Sequence, residues 1–383
     1  YEHFLKEFDP ELRKELGVWY TPKEIVNYQV ERVDRLLRDQ LGLEDGLADH
    51  NVVVLDPCCG TGSYLLQTIR KIQKTLETKG LGSTVGLNLR EIVYGKDGKP
   101  GRIFGFEILM APFVISHMQI NLLLRGAGVG PSEKERAGVY LTNALTGWDA
   151  DGTRDTKDRK QTTLLAFLPA LKEEREASAH VKVDEPILVV IGNPPYNRFA
   201  GVAEAEEADL IEPYKHGLYE LWKVRKQLLD DLYIRFFRLG ERRIAEAGKR
   251  GVVSFISNNS WLDGISHPVM RQHLILGFDS IWIDNLNGDK YRTGKVIPSG
   301  YPNEGAPDQS IFTTRYDREG IQVGTAVTTM VLPHKRRGGI AQVYYRDLWG
   351  YADQKRKTLQ DSLQASPAVF LREYRRVKPK AVS

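Results

Sequence analysis

The stretch Ile187-Leu188-Val189-Val190-Ile191-Gly192-Asn193-Pro194-Pro195-Tyr196 decides how the chain folds. Five apolar residues, mostly β-branched and bounded by Pro186 and Gly192, predict a strand buried on both faces, as in the middle of a parallel sheet. Two consecutive prolines lack backbone N–H groups and fix φ, so residues 193–196 predict a stiff turn at the carboxyl end of that strand. Open α/β sheets bind ligands at that end. The turn offers two acceptors, the Asn193 side-chain oxygen and the Pro194 carbonyl, with the flat face of Tyr196 beside them. Such a set suits a planar ring bearing an exocyclic NH2. The plainer alternative is a strand-ending turn in which Asn193 bonds its own backbone.

A second buried strand, Val52-Val53-Val54-Leu55-Asp56, leads into Pro57-Cys58-Cys59-Gly60-Thr61-Gly62-Ser63 and a helix from about Tyr64 to Thr78. Strand, glycine turn and helix open a nucleotide-binding α/β unit. The lysine of a P-loop and the third glycine of GxGxxG are missing, which argues against a phosphate ligand. The acid Asp56 at the strand end instead suits a cationic, amine-bearing one. The next strand, Arg102 to Glu107, ends on a carboxylate placed to bind a ribose diol, and Asn143 follows a short strand Gly138–Leu141. Upstream, Thr21 reads as the N-cap and Pro22 as the first residue of a helix reaching about Leu41. Its free amides, with Tyr20 beside them, suit a carboxylate.

Composition sets the outer limits. The chain has 383 residues and a net charge of +4, enough for one large α/β domain with insertions, and permits a polyanionic partner without requiring one. No apolar run reaches the roughly 18 residues of a membrane span, the first residues are charged, and the only cysteines are the neighbours Cys58 and Cys59. These features point to a cytoplasmic protein without disulfides or a metal centre.

Three segments are expected. Residues 1–50 form a helical part carrying Tyr20-Thr21-Pro22, with a short helix over 1–18. Residues 51–349 form the main domain, with insertions near 79–101 and 149–185. Residues 350–383 form a basic linker. Within the main domain, residues 197–213 read as a mobile loop and a long helix spans about Leu218 to Ala247. Further strands are expected at Gly251–Ser257 and Ser280–Asp284, and the stretches Gln309 to Thr314 and Gly320 to Leu332 read as antiparallel strands closing an edge. The fold class is α/β, a mostly parallel central sheet with helices on both faces and an antiparallel edge.

Asp56-Pro57-x-x-Gly60-Thr61-Gly62 together with Asn193-Pro194-Pro195-Tyr196 resembles the γ-class methyltransferases that modify N6 of adenine in DNA, and Tyr20-Thr21-Pro22 ahead of the glycine loop resembles the motif that opens the γ arrangement. The likeness runs over about residues 14–349. More narrowly, Trp261 to Pro268, Arg271 and Phe278 to Gly288 are similar to the modification domain of single-polypeptide Type ISP restriction-modification enzymes, whose chains also carry nuclease, helicase-like and target-recognition domains.

The resemblance implies a Rossmann-like fold and S-adenosylmethionine as cofactor. Tyr20, Thr21 and Pro22 would cradle its methionine end, Asp56, Pro57, Gly60, Thr61 and Gly62 its centre, Glu107 its ribose and Asn143 its adenine, although Asn143 departs from the acid often found there. Double-stranded DNA is the implied partner, with the target adenine flipped out, stacked on Tyr196 and covered on its other face by Phe199 or Phe312. Accepting both amino hydrogens at Asn193 and Pro194 would free the nitrogen lone pair for attack. The same turn also suits RNA bases or a protein glutamine, and a non-catalytic DNA-binding module could keep the fold.

Overall fold

The computed structural model describes residues 20–132, 135–148, 169–196, 209–224, 229, 231–315 and 317–378. Nine strands form a single sheet: β1 (Val54–Asp56), β2 (Ile103–Glu107), β3 (Gly138–Leu141), β4 (Val189–Gly192), β5 (Gly251–Asn258), β6 (Ser280–Asn287), β7 (Thr325–Leu332), β8 (Gln342–Asp347) and β9 (Arg375–Val377). Their spatial order is β3-β2-β1-β4-β5-β7-β6-β8-β9. β7 runs antiparallel to both of its neighbours and β9 antiparallel to β8, while the other pairings are parallel.

β4 sits near the middle, as its apolar run requires. Val189 and Ile191 enter the core on one face and Val190 the core on the other. The first core is covered by α1 (Lys23–Leu41), α2 (Ser63–Thr78), α3 (Val85–Tyr94) and α4 (Met110–Gly126). In α1, Val26, Val30, Val33 and Leu37 recur at helical spacing and are all buried. The opposite face carries α5 (Pro169–Val183), α6 (Leu232–Glu241) and α7 (Pro268–Gly277). Helices thus lie on both faces of a mostly parallel sheet with an antiparallel edge.

Several local expectations need correction. Residues 79–101 are not a loop, because α3 buries Val85, Leu89, Ile92 and Val93 against the sheet. The part of 149–185 that is described is the crossover helix α5 rather than an excursion from the fold. The helix expected over Leu218–Ala247 is broken into Leu218–Trp222, α6 and a π-helical turn Arg242–Gly248. Gln309–Thr314 forms no strand. The late antiparallel strand is only Thr325–Leu332, and it is inserted between β5 and β6; the antiparallel edge is β9. The expected helix over 1–18 and most of the loop at 197–213 lie outside the described residues.

The described part of 350–383, residues 350–378, is not a linker. It includes α8 (Ala352–Gln364), which packs on α1, a short helix Pro367–Arg372, and β9. The physical reason is Lys355. Its ammonium is fully buried, 2.6 Å from Asp308 Oδ1, and donates to the carbonyls of Leu286 (2.6 Å) and Gln309 (2.7 Å), which fastens α8 to the body of the domain.

Candidate active site

Two loops leave the sheet side by side. Leu55 of β1 pairs with Val190 of β4, so Asp56 and Asn193 stand at the carboxyl ends of adjacent parallel strands. The approach is close enough to demand a glycine, since a Cβ on Gly192 would lie 2.7 Å from Asp56 Oδ1 and 3.1 Å from Cys58 Sγ.

A third segment joins them. Asn193 Nδ2 donates to Thr21 Oγ1 at 3.0 Å, which brings the start of α1 to the diproline turn. Thr21 is therefore not a helix cap: α1 begins at Lys23, the capping residue is Pro22 with extended backbone (φ −52°, ψ 136°), and no side chain caps the helix. Pro22 also stands one position outside the helix rather than opening it. Thr21 is buried, whereas Tyr20 is about half exposed at 49%.

Backbone amides fold the glycine loop around two carboxylates. Asp56 Oδ1 accepts the Cys58 amide (3.1 Å), and Glu107 Oε2 accepts the Gly60 amide (2.9 Å). Glu107 Oε1 takes the amides of Ile108 (2.9 Å) and Leu109 (2.7 Å). The carbonyl of Thr61 is held by Gln119 of α4 (3.2 Å). Gly60 and Gly62 have φ of +55° and +90°, conformations that side chains with a Cβ rarely adopt. Space beyond Gly60 is open, whereas Gly62 lies against Ser116, whose Cβ would be 3.2 Å from an added methyl. Pro57 completes the loop and is buried.

Burial dominates the electrostatics. Asp56 is fully buried, and desolvation pushes its carboxyl up to about 8, opposed by the Cys58 amide and reinforced by the nearby Glu107. Its Oδ2 is buried without a hydrogen-bond partner. Glu107 is also raised by desolvation, against three amides that favour its charge. Burial pushes the Cys58 and Cys59 thiols far up, so neither is poised as a nucleophile.

Not every expected residue converges. Asn143 Oδ1 accepts the Leu145 amide at 2.9 Å, which ties that oxygen into a local turn. Tyr196 is buried, with its hydroxyl donating to the Ile256 carbonyl (3.4 Å). Phe312 is buried beside it, ring centroids 6.1 Å apart and planes at 82°. A base stacked between two rings needs about 7 Å between parallel planes, so Phe312 packs edge-on against Tyr196 and does not form the opposite wall of a slot. Phe199 lies outside the described residues.

Two supporting residues were missed in the sequence. Tyr64, in the first turn of α2, donates to Gln29 Oε1 (2.6 Å), and Gln29 in turn reaches Ser254 Oγ on β5 (3.2 Å). This buried chain fixes α1, and with it Thr21, against the loop. An aromatic one residue inside the helix after a glycine turn was the available signal. Among the described residues, no group of His, Cys, Asp and Glu could hold a metal ion, and no helix is long and apolar enough to cross a membrane.

Solved structures share this fold. The DrdV–DNA complex, a cryoEM structure, superposes with a TM-score of 0.70 at 22% identity, over 100% of this chain and 32% of that one. The ATP-dependent Type ISP restriction-modification enzyme LlaBIII bound to DNA gives 0.70 at 22%, over 95% of this chain and 22% of the other. A nuclease-deletion mutant of the Type ISP enzyme LlaGI with a DNA substrate mimic gives 0.64 at 22%, covering 95% and 26%. These likenesses show a shared fold, and the chain spans a third or less of each of those polypeptides. Among curated proteins no match was found. The family of N-6 DNA methylases matches residues 1–255, two thirds of the sequence, a span that contains Thr21, the glycine loop, Glu107 and the diproline turn. The chain belongs to the N-6 DNA methylase family.

Proposed function

We propose that this chain transfers a methyl group from S-adenosylmethionine to N6 of an adenine in double-stranded DNA, as the modification part of a restriction-modification enzyme. One observation carries the reading: Asp56 and the Asn193 turn end adjacent strands, and Thr21 is bonded to Asn193.

The residues fit the cofactor. A fully buried carboxylate with an unsatisfied oxygen at Oδ2 suits a cationic ligand, and the open side of Gly60 leaves room for one to approach the backbone. Asp56, Gly60 and Gly62 would hold its centre, Tyr20 and Thr21 its amino-acid end, and Glu107 its ribose through the lone pairs left by the amides. When bound, S-adenosylmethionine supplies an electrophilic methyl group on a sulfonium.

The chain's own residues do the rest by positioning. The Asn193 amide is held through Nδ2 by its bond to Thr21, which assigns the donor end of the amide to Thr21 and the acceptor end to the substrate in this reading. Oδ1 and the Pro194 carbonyl then accept the two hydrogens of the amino group, so its lone pair leaves the ring and points at the methyl group. Pro195 keeps the turn stiff and withholds a competing donor. After transfer the nitrogen is cationic and loses its extra proton through these same acceptors to water, so no strong base is needed. Flipping takes the adenine out of the duplex, and Tyr196 supplies a stacking face once its ring and Phe312 separate.

Incubating the protein with methyl-labelled S-adenosylmethionine and DNA, RNA or protein in parallel tests the reading. Label in N6-methyladenine of DNA is the expected outcome. Label confined to RNA or to a protein glutamine would overturn it.

A further inference from the structure

A cavity of about 530 Å³ opens between the loop after β5, α7 and strands β6 and β8. None of its lining residues belongs to the glycine loop or the diproline turn, so it is separate from the proposed methyl-transfer site. Its size lies in the range of small-molecule sites.

Its chemistry is mixed in a particular way. The floor is apolar and formed by Ile281, Ile283 and Val343. Deep in the wall, Asn259 and Trp261 are 4% and 3% exposed, and both carry polar atoms without partners, the acceptor Oδ1 of Asn259 and the indole N–H of Trp261. Trp222 adds a second buried indole N–H without a partner. The orientation of Asn259 is fixed because its Nδ2 donates to Asn285 Oδ1 at 2.8 Å. Buried orphans of both kinds are costly. One planar heterocycle with a ring acceptor and an amino donor would satisfy both while lying on the aliphatic floor.

The rim carries Arg271, Arg292 and Arg375; Arg292 pairs with Asp263 and Arg375 lies 3.7 Å from Asp347, with both arginines at the surface. Arg271 is pinned by the carbonyls of Trp261 (2.8 Å) and Gly264 (2.9 Å). Arg375 lies over the ring of Tyr345, 4.6 Å from its centroid, with 68% of its side chain exposed. Guanidinium groups at the mouth of an apolar slot recognise phosphate.

We propose that this cavity binds a nucleotide, with the base against Asn259 and Trp261 and the phosphate at Arg292 and Arg375. The inference goes beyond the methyl-transfer reading and does not rest on it. A free nucleotide and a nucleotide unit of a nucleic-acid strand share this chemistry.

Equilibrium dialysis of the whole chain with radiolabelled AMP, in saturating S-adenosylhomocysteine, tests the site. One equivalent should bind, and adenosine should bind less tightly. Arg292→Ala combined with Arg375→Ala, both at the exposed rim, should weaken AMP about tenfold and abolish its advantage over adenosine. Trp261→Phe keeps an aromatic side chain, smaller than the indole, removes the N–H and should weaken both ligands. Melting temperatures close to the parent show that the variants fold. Displacement of AMP by a short single-stranded oligonucleotide identifies a strand as the source; AMP binding without displacement identifies a free nucleotide. Failure to retain AMP or the oligonucleotide, or equal affinity in the parent and both variants, would overturn the proposal.

Discussion

Asn193 donates to Thr21 Oγ1 at 3.0 Å across a sequence separation of 172, so the segment leading into α1 orients an amide in the turn after the central strand β4. Replacing Thr21 by Val keeps the shape but removes the acceptor. The amide would lose its fixed orientation and a buried polar bond, at about 1–3 kcal/mol. Turnover is expected to fall about tenfold or more, and Thr21→Ser is expected to restore most of it. Steady-state kinetics beside chemical denaturation separate the catalytic loss from the structural one.

Asp56 gives the site a pH signature. Its folded carboxyl titrates at about 8, well above the ordinary aspartate value, because of desolvation. A raised acid contributes stability that is complete below about pH 4 and lost as pH rises through 8. Asp56→Asn should therefore remove part of the decline in stability between pH 4 and 8. A cationic ligand favours the ionised form, so cofactor affinity should rise from pH 6 to 8 and level off above, with proton release on binding. Calorimetry in buffers of different ionisation enthalpy checks this, and the Asn variant should bind weakly with no such slope.

The two loop glycines should differ. Gly60→Ala meets open space and pays for a positive φ, about 1 kcal/mol. Gly62→Ala adds a clash with Ser116 and a φ of +90°, and should cost clearly more. Urea unfolding of the two variants gives the order directly.

Lys355 and Asp308 form a buried pair in which each side chain is 0% exposed. Lys355→Met leaves the Asp308 charge uncompensated and should cost about 3–5 kcal/mol. Adding Asp308→Asn removes the buried charge but sets an amide NH2 against the Gly288 or Gly350 N–H that Asp308 accepts, so it should recover little of that loss. Thermal melts of the parent and the two variants test whether α8 is integral to the domain.

Much of the site was legible because its elements are local. A strand buried on both faces appears as one apolar run, and the loops after β1 and β4 carry residues with few conformational choices, Gly60, Gly62, Pro194 and Pro195. What escaped is non-local. The position of β7 between β5 and β6 is set by pairing over long separations. α3 hid behind Gly80, Gly82 and Gly86, although Val85, Leu89 and Ile92 kept helical spacing. α8 escaped because its anchor is Lys355, and a lysine reads as surface until its partner Asp308 is located. Glu107 was expected to meet a ribose. Its three bonds to backbone amides, which stiffen the glycine loop, depend on φ values that residue types only suggest.

The central claim is that Asn193 and the Pro194 carbonyl hold the amine that receives the methyl group. Single-turnover transfer of labelled methyl to duplex DNA, measured for the parent and Asn193→Ala with cofactor binding followed in parallel, tests it most directly. The account predicts that the variant binds S-adenosylmethionine with near-parent affinity and transfers no measurable methyl. Transfer at the parent rate by Asn193→Ala would contradict it.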